Sequence, residues 1–228
     1  MPEFWIDEVR CQALTPTEAD VYISMGTVDP GVELQGRLTG PRCVYSTTIE
    51  VAYRWQPLPR RAEEPTRLQA RVVIPEPCFW EPETPFVYSG QVEAADAPSV
   101  PLTVGLRTVQ WRGAELRVNG RPFDLRSVRC KHLSADAGRR LRADGVNCLV
   151  VPVAAATAAV WDAADRLGFF VVGELPAEEL ALARALRLHP CHLGWLPAAG
   201  ASPTVPPHWA GEWRDPALFA TIRDLSSE

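Results

Sequence analysis

Thr157-Ala158-Ala159-Val160-Trp161-Asp162-Ala163-Ala164-Asp165-Arg166-Leu167-Gly168-Phe169-Phe170-Val171-Val172-Gly173-Glu174-Leu175 changes its period midway. Val160, Ala163, Ala164 and Leu167 recur at helical spacing, so the first part reads as a helix with one apolar face. Gly168 is a natural stop. The run from Phe169 to Leu175 is apolar and rich in aromatic and β-branched residues, and it reads as a buried strand.

The same unit recurs on both sides. Strand-like runs lie near 125–130, 148–153 and 191–196. A helix opens at Ser134, a good N-cap, and ends before Gly145. A third helix runs from Glu178 to Leu188, with two acids in its first turn where the helix dipole favours them. Strands that alternate with helices in this way imply βα units and a parallel sheet. Four such units fall between residues 106 and 200, where a closed barrel needs eight.

Upstream the period is that of strands. Val21-Tyr22-Ile23-Ser24-Met25, Val32-Glu33-Leu34, Thr47 to Tyr53 and Leu68 to Ile74 are separated by turn signals at Asp29-Pro30-Gly31, at Gly40-Pro41 and from Pro57 to Pro65. Short strands at this spacing predict a β-sandwich over residues 1–105. Glu115 to Val118 followed by Asn119-Gly120 reads as a tight hairpin. The tail, 201–228, is rich in Pro and Trp and carries one short expected helix from Pro216 to Leu225.

Composition narrows the function classes. Over 228 residues, 46% are hydrophobic and 22% charged, an ordinary globular balance. A formal charge of -5 gives no reason to expect nucleic acid or an anionic membrane as partner. The longest apolar run, Val146 to Val160, is broken by Asn147 and Pro152 and is too short to span a bilayer. The N-terminus has acids where a signal peptide needs a basic region and an apolar core, so a cytoplasmic protein is expected. Six cysteines without a CxxC pair read as reduced, buried thiols, and neither a metal nor a cofactor is expected.

The order of motifs resembles the family-2 glycoside hydrolases, the group of β-galactosidases and β-glucuronidases. Trp80-Glu81-Pro82-Glu83-Thr84-Pro85-Phe86-Val87-Tyr88 looks like the Trp-x-Pro-x-x-Pro-x-x-Tyr segment near the end of that family's immunoglobulin-like domain. Gly105-Leu106-Arg107 resembles its Gly-Phe-Arg strand, Leu116 to Phe123 its Leu-Asn-Gly-Lys-Pro hairpin, and Leu125-Arg126-Ser127-Val128 its Leu-Arg-Gly-Val start of the first barrel strand. Asp162 to Val172 is similar to its Cys-Asp-Glu-Leu-Gly-Leu-Tyr-Val stretch. The resemblance implies an immunoglobulin-like β-sandwich (1–105), about half of a TIM-type βα barrel (106–200) and a C-terminal tail (201–228). It has no counterpart of the family's sugar-binding jelly roll or of the second barrel half.

Carried over residue by residue, the same resemblance implies an eroded active site. The family's acid/base is the Glu of an Asn-Glu pair after the fourth strand. Aligning His189-Pro190-Cys191-His192-Leu193-Gly194-Trp195 with its His-Pro-Ser-x-x-x-Trp puts Ala199-Gly200 at that pair, and neither residue transfers a proton. The Asn-Arg-His-Glu of the first strand reads Arg129-Cys130-Lys131-His132. The Arg-Thr-Ser-His of the second reads Val150-Val151-Pro152-Val153. Only Glu174 remains of the third strand's Asp-Glu.

No catalytic residue is therefore expected, Glu174 and Glu212 being the weak candidates. His132, Glu174, Trp195, Trp209 and Trp213 are the candidate ligand-binding residues. Plainer readings stand beside them: for Glu174 a leftover carboxylate bonded to backbone or to an arginine, for His132 a surface or hydrogen-bonded histidine, for Trp209 and Trp213 a cap on the open edge of the half barrel or an interface. Cys130, His132, Cys191 and His192 could meet across strands as metal ligands, but their spacing is not that of a local chelate. The basic residues Arg121, Arg126, Arg129, Lys131, Arg139, Arg140 and Arg142 read as an anion or nucleic-acid surface or, more plainly, as a solvated helix face with internal ion pairs. Three functions remain open. The first is a non-catalytic binding or assembly protein, self-associating through the open barrel edge. The second is a carbohydrate-binding module. The third is a residual O-glycosyl hydrolase.

Overall fold

The computed structural model describes residues 4–12, 14–27, 33–94, 98–113, 115–176, 178–198, 212, 214 and 223–224. It divides into two compact units, Met1–Trp80 with Phe86–Arg107, and Glu81–Pro85 with Thr108–Glu228.

The first unit is two antiparallel sheets. One has the order β1 (Phe4–Gln12), β2 (Glu18–Thr27), β6 (Arg67–Pro75), β5 (Gln56–Pro57). The other has the order β4 (Val51–Arg54), β3 (Leu34–Arg42), β7 (Val87–Ala94), β8 (Val100–Val104). Alternation decides which side is core. Along β6 Leu68, Ala70, Val72 and Ile74 are buried while the residues between them are not. On β2 Val21, Ile23 and Met25 share that face. Each of the Val, Leu, Ile and Met side chains among them contributes roughly 1.5–3 kcal/mol on burial. Trp80 and Tyr88 are fully buried, and the Tyr88 hydroxyl accepts the Cys78 backbone N–H at 3.0 Å.

Two expectations need correcting here. The strand expected over Thr47–Tyr53 forms only from Val51, and Ile49 is 87% exposed. The β3–β4 ladder ends at the Gly40–Val51 pair, because the next residue of β3 is Pro41, which has no N–H to donate. Gly40-Pro41 is accordingly not a turn but lies inside β3, where the register on β7 shifts between Thr39 and Arg42.

The second unit begins with a meander, β9 (Val109–Arg112), β10 (Glu115–Val118) and β11 (Arg121–Phe123). Asn119 and Gly120 have φ of 47° and 78°, the positive pair that a primed hairpin turn requires. The Asn119 carboxamide also accepts from Thr108 N at 2.9 Å and donates to Glu81 at 3.0 Å.

A parallel sheet follows, made by β12 (Ser127–Arg129), β13 (Cys148–Pro152), β14 (Phe170–Leu175) and β15 (His192–Pro197). They lie side by side in chain order, connected through α1 (Ala135–Ala143), α2 (Ala158–Leu167) and α3 (Leu180–Leu186). Cys148 to Val151, Phe170 to Gly173 and Leu193 to Leu196 are buried without alternation, as expected of strands covered on both faces. Ser134 caps α1, its Oγ accepting the Ala137 N–H at 3.1 Å. Gly168 ends α2 in the left-handed region, φ 76°. A Cβ there would stand 2.1 Å from the Pro82 carbonyl oxygen, so two constraints select glycine.

Helix α3 is shorter than expected. Glu178 and Glu179 precede it rather than filling its first turn, and Glu179 has non-helical φ and ψ of −98° and 27°. In the tail, most of the helix expected over Pro216–Leu225 lies outside the described residues. Its Arg223–Asp224 are β16, extended and paired in parallel with Val128–Arg129 of β12.

Candidate functional site

In a parallel sheet all strands end on one side, and side chains placed there can converge. The ends of β12, β13, β14 and β15 present Arg129, Pro152, Glu174 and Leu196-Pro197. Glu174 is the one acid among those four ends. Arg129 reaches it across β13, a span of two strand spacings, about 9–10 Å, which suits a long side chain. The guanidinium meets the carboxylate as a fork: Nε lies 3.3 Å from Oε2, and the second nitrogen is on Oε1. Both groups are mostly covered, with 35% and 19% of the side chains exposed. A bidentate pair of this kind fixes geometry as well as charge. By register, Asp224 of β16 stands opposite Arg129.

Glu212, the other candidate acid, is held elsewhere. Its Oε1 accepts from Arg187 at 2.7 Å and its Oε2 from the Trp195 indole N–H at 3.0 Å. Glu174 and Glu212 thus have different partners. Trp195, expected to bind ligand, is fully buried instead. Its ring packs against Trp161 at 5.9 Å and His192 at 4.5 Å, so its faces are spent on the core. His132 is exposed and its backbone carbonyl accepts from the Cys130 thiol at 2.8 Å. Trp209, Trp213 and the Ala199-Gly200 pair lie outside the described residues.

The set Cys130, His132, Cys191 and His192 does not form a metal site. Cys130 follows β12 and Cys191 precedes β15, three strand spacings away, about 14 Å along the sheet. The basic stretch is partly consumed internally: Arg129 by Glu174, Arg139 by Asp136, and Arg142 by the Gly168 carbonyl at 3.0 Å.

A polar cluster that the sequence reading did not assemble lies at the other end of the sheet. Asp165 on α2 is 1% exposed. Its Oδ2 is 2.6 Å from His189 Nδ1, and its Oδ1 accepts the Cys191 backbone N–H at 2.8 Å. The Cys191 thiol donates to the Trp161 carbonyl at 3.6 Å. Donor atoms of Asp165, His189 and Cys191 lie within 4.8 Å of one another. Both carboxylate oxygens are already used, which makes the trio a hydrogen-bonded clamp between α2 and the turn into β15. Burial opposes charge on His189, but the hydrogen bond to Asp165 and the charges of Asp165 and Asp162 outweigh it and raise its pKa. The available signal was Asp165 itself, a carboxylate beside the apolar face of a helix. Burial alone pushes the Cys148 thiol up to about 12, against a small opposing hydrogen bond with Ser127.

No protein-family model matches the sequence, and no curated protein matches it. Solved structures do match in fold. A family-2 glycosyl hydrolase from Bacteroides cellulosilyticus superposes with a TM-score of 0.58 at 18% identity over 83% of this chain. A Bifidobacterium dentium β-glucuronidase, complexed with coumarin-3-O-glucuronide, gives 0.61 at 14% identity over 95%. A structure described as a β-galactosidase from Bacteroides fragilis gives 0.58 at 14% identity over 82%. The chain spans only 30%, 40% and 32% of those three proteins. It therefore has a glycoside-hydrolase-like fold that matches a part of each of them. Among the described residues no helix is long and apolar enough to cross a membrane.

Proposed function

We propose that this chain is a non-catalytic relative of the family-2 glycoside hydrolases, with an immunoglobulin-like sandwich, the first half of a βα barrel, and a binding or assembly role. One observation carries the reading. Glu174, the acid at the four strand ends, is closed in a fork with Arg129. A retaining glycosidase needs two carboxyl groups about 5–5.5 Å apart across the scissile bond, one of them protonated to serve as acid. An arginine on both oxygens takes up the lone pairs that a substrate hydroxyl would need and blocks that face. The ends of β13 and β15 offer proline, valine and leucine, which neither donate nor accept a proton.

The test is an assay of the full chain on 4-nitrophenyl β-D-galactoside and β-D-glucuronide. No release above buffer is expected, for the native chain or for Glu174→Gln. Turnover that Glu174→Gln or Asp224→Asn abolishes would establish a hydrolase and remove this proposal.

A further inference from the structure

We propose that the first unit carries a binding site for a small hydroxylated carboxylate, a sugar acid in chemical class, on the face of the β1-β2-β6 sheet opposite its core. Tyr22 and Ser24 alternate with the buried Val21, Ile23 and Met25, so they point the other way. Register places two polar rows side by side there. Glu8, Ser24 and Gln69 form one, and Arg10, Tyr22 and Arg71 the next. The irregularity in β1 between Ile6 and Glu8 brings Glu8 level with Ser24, and bulges of this kind re-aim side chains toward sites.

Leu58 and Arg61, which follow β5, join these rows in lining a cavity of about 220 Å³, with Glu8, Arg10, Tyr22, Ser24 and Gln69. That is below the roughly 300–1,000 Å³ of drug-sized sites, so the ligand is small. Charge then selects its chemistry. Asp20 is already committed to Arg71, at 2.6 and 2.9 Å. Glu8, Arg10 and Arg61 have no ion pair among the described residues. One carboxylate facing two guanidiniums leaves a single positive charge, which suits a monoanion. Arg10 is held over the Tyr22 ring, 5.7 Å from its centroid, which orients the guanidinium before any ligand arrives. Gln69 donates to Ser24 Oγ at 3.1 Å, leaving the serine hydrogen and the glutamine oxygen for ligand hydroxyls. Glu8 supplies a further acceptor. A guanidinium recognises a carboxylate through paired donors, and the remaining groups match a polyol.

This site belongs to the first unit and does not depend on the reading of the strand ends in the second. Titration calorimetry of the full chain with D-glucuronate tests it, with D-glucose as the uncharged counterpart and acetate as the carboxylate without hydroxyls. Glucuronate is expected to bind with a Kd of about a millimolar or tighter, and the other two roughly tenfold more weakly. Arg61→Gln, an exposed change, is expected to weaken glucuronate roughly tenfold, the value of one charged hydrogen bond. Glu174→Gln is expected to leave it unchanged. Glucose binding as tightly as glucuronate, no heat from any of the three, or affinity undiminished by both Arg61→Gln and Arg10→Gln would overturn the proposal.

Discussion

Asp165 and His189 meet at 2.6 Å between Oδ2 and Nδ1, joining a helix to the turn that launches the last strand of the four-strand run. Because the native pKa of His189 lies above its ordinary 6.5, the folded state holds the proton more tightly than the unfolded chain does. The sign follows. This stabilisation is fully present below about pH 6.5 and is lost as pH rises through the native pKa. Urea unfolding is therefore expected to show a higher midpoint at about pH 6 than at about pH 8.5, all else equal. His189→Gln should flatten that part of the profile, and an unchanged profile would remove the pair from the pH response.

Asp165→Asn tests the other half of the clamp. The substitution can keep the bond from the Cys191 N–H but puts an amide where the histidine proton points. A buried hydrogen bond left imperfect costs about 1–3 kcal/mol. Asp165→Ala, which strands both partners, should cost more, about 3–5 kcal/mol. Equal losses for the two variants in chemical denaturation would contradict the assignment of two separate bonds.

Much of this was legible in the sequence, and the reason differs by element. The parallel sheet announced itself because Val150, Val171 and their neighbours form continuous apolar runs, and Gly168 marks a stop that backbone geometry demands. The Asn119-Gly120 turn was equally local. What escaped depends on partners far along the chain. Whether Thr47 to Glu50 joins a strand is decided by Pro41 on the neighbour, not by its own β-branched residues. Trp195 looked like a ligand platform because aromatic residues serve both cores and sugars, and only its burial separates the two uses. The Arg129–Glu174 fork joins positions 45 apart, beyond any periodicity.

That fork predicts a measurable coupling. A double-mutant cycle of Arg129→Ala and Glu174→Ala should give an interaction of about 0.5–1 kcal/mol, since the pair is partly exposed. A coupling near zero would mean that the carboxylate is not committed to the arginine.

Gly168→Ala should be among the more damaging single changes in the second unit. A left-handed φ costs an L-residue roughly 1–2 kcal/mol. The new methyl would also sit 2.1 Å from the Pro82 carbonyl oxygen, a backbone atom that cannot swing aside. Overpacking adds roughly 1–3 kcal/mol. A thermal midpoint lowered by several degrees is expected, and an unshifted one would contradict the close approach of Pro82.

The tail offers the last test. Described residues of it lie on both edges of the parallel sheet. On the β15 edge, Arg214 donates its backbone N–H to the Trp195 carbonyl at 2.9 Å and its Nε to the Leu193 carbonyl at 2.8 Å. A Cβ on Gly194 would meet the Glu212 carbonyl oxygen at 2.4 Å, so the segment lies directly on that strand. On the other edge, Arg223–Asp224 pair with β12. Arg214 and Arg223–Asp224 thus take up backbone groups that would otherwise be open to another chain. If the tail caps both edges in this way, the chain does not associate through them. Light scattering of the full chain should then give a monomer. Deleting residues 199–228 would uncover the carbonyls of Leu193 and Trp195 and should drive concentration-dependent association. A truncated chain that stays monomeric and keeps its thermal midpoint would show that the tail caps nothing.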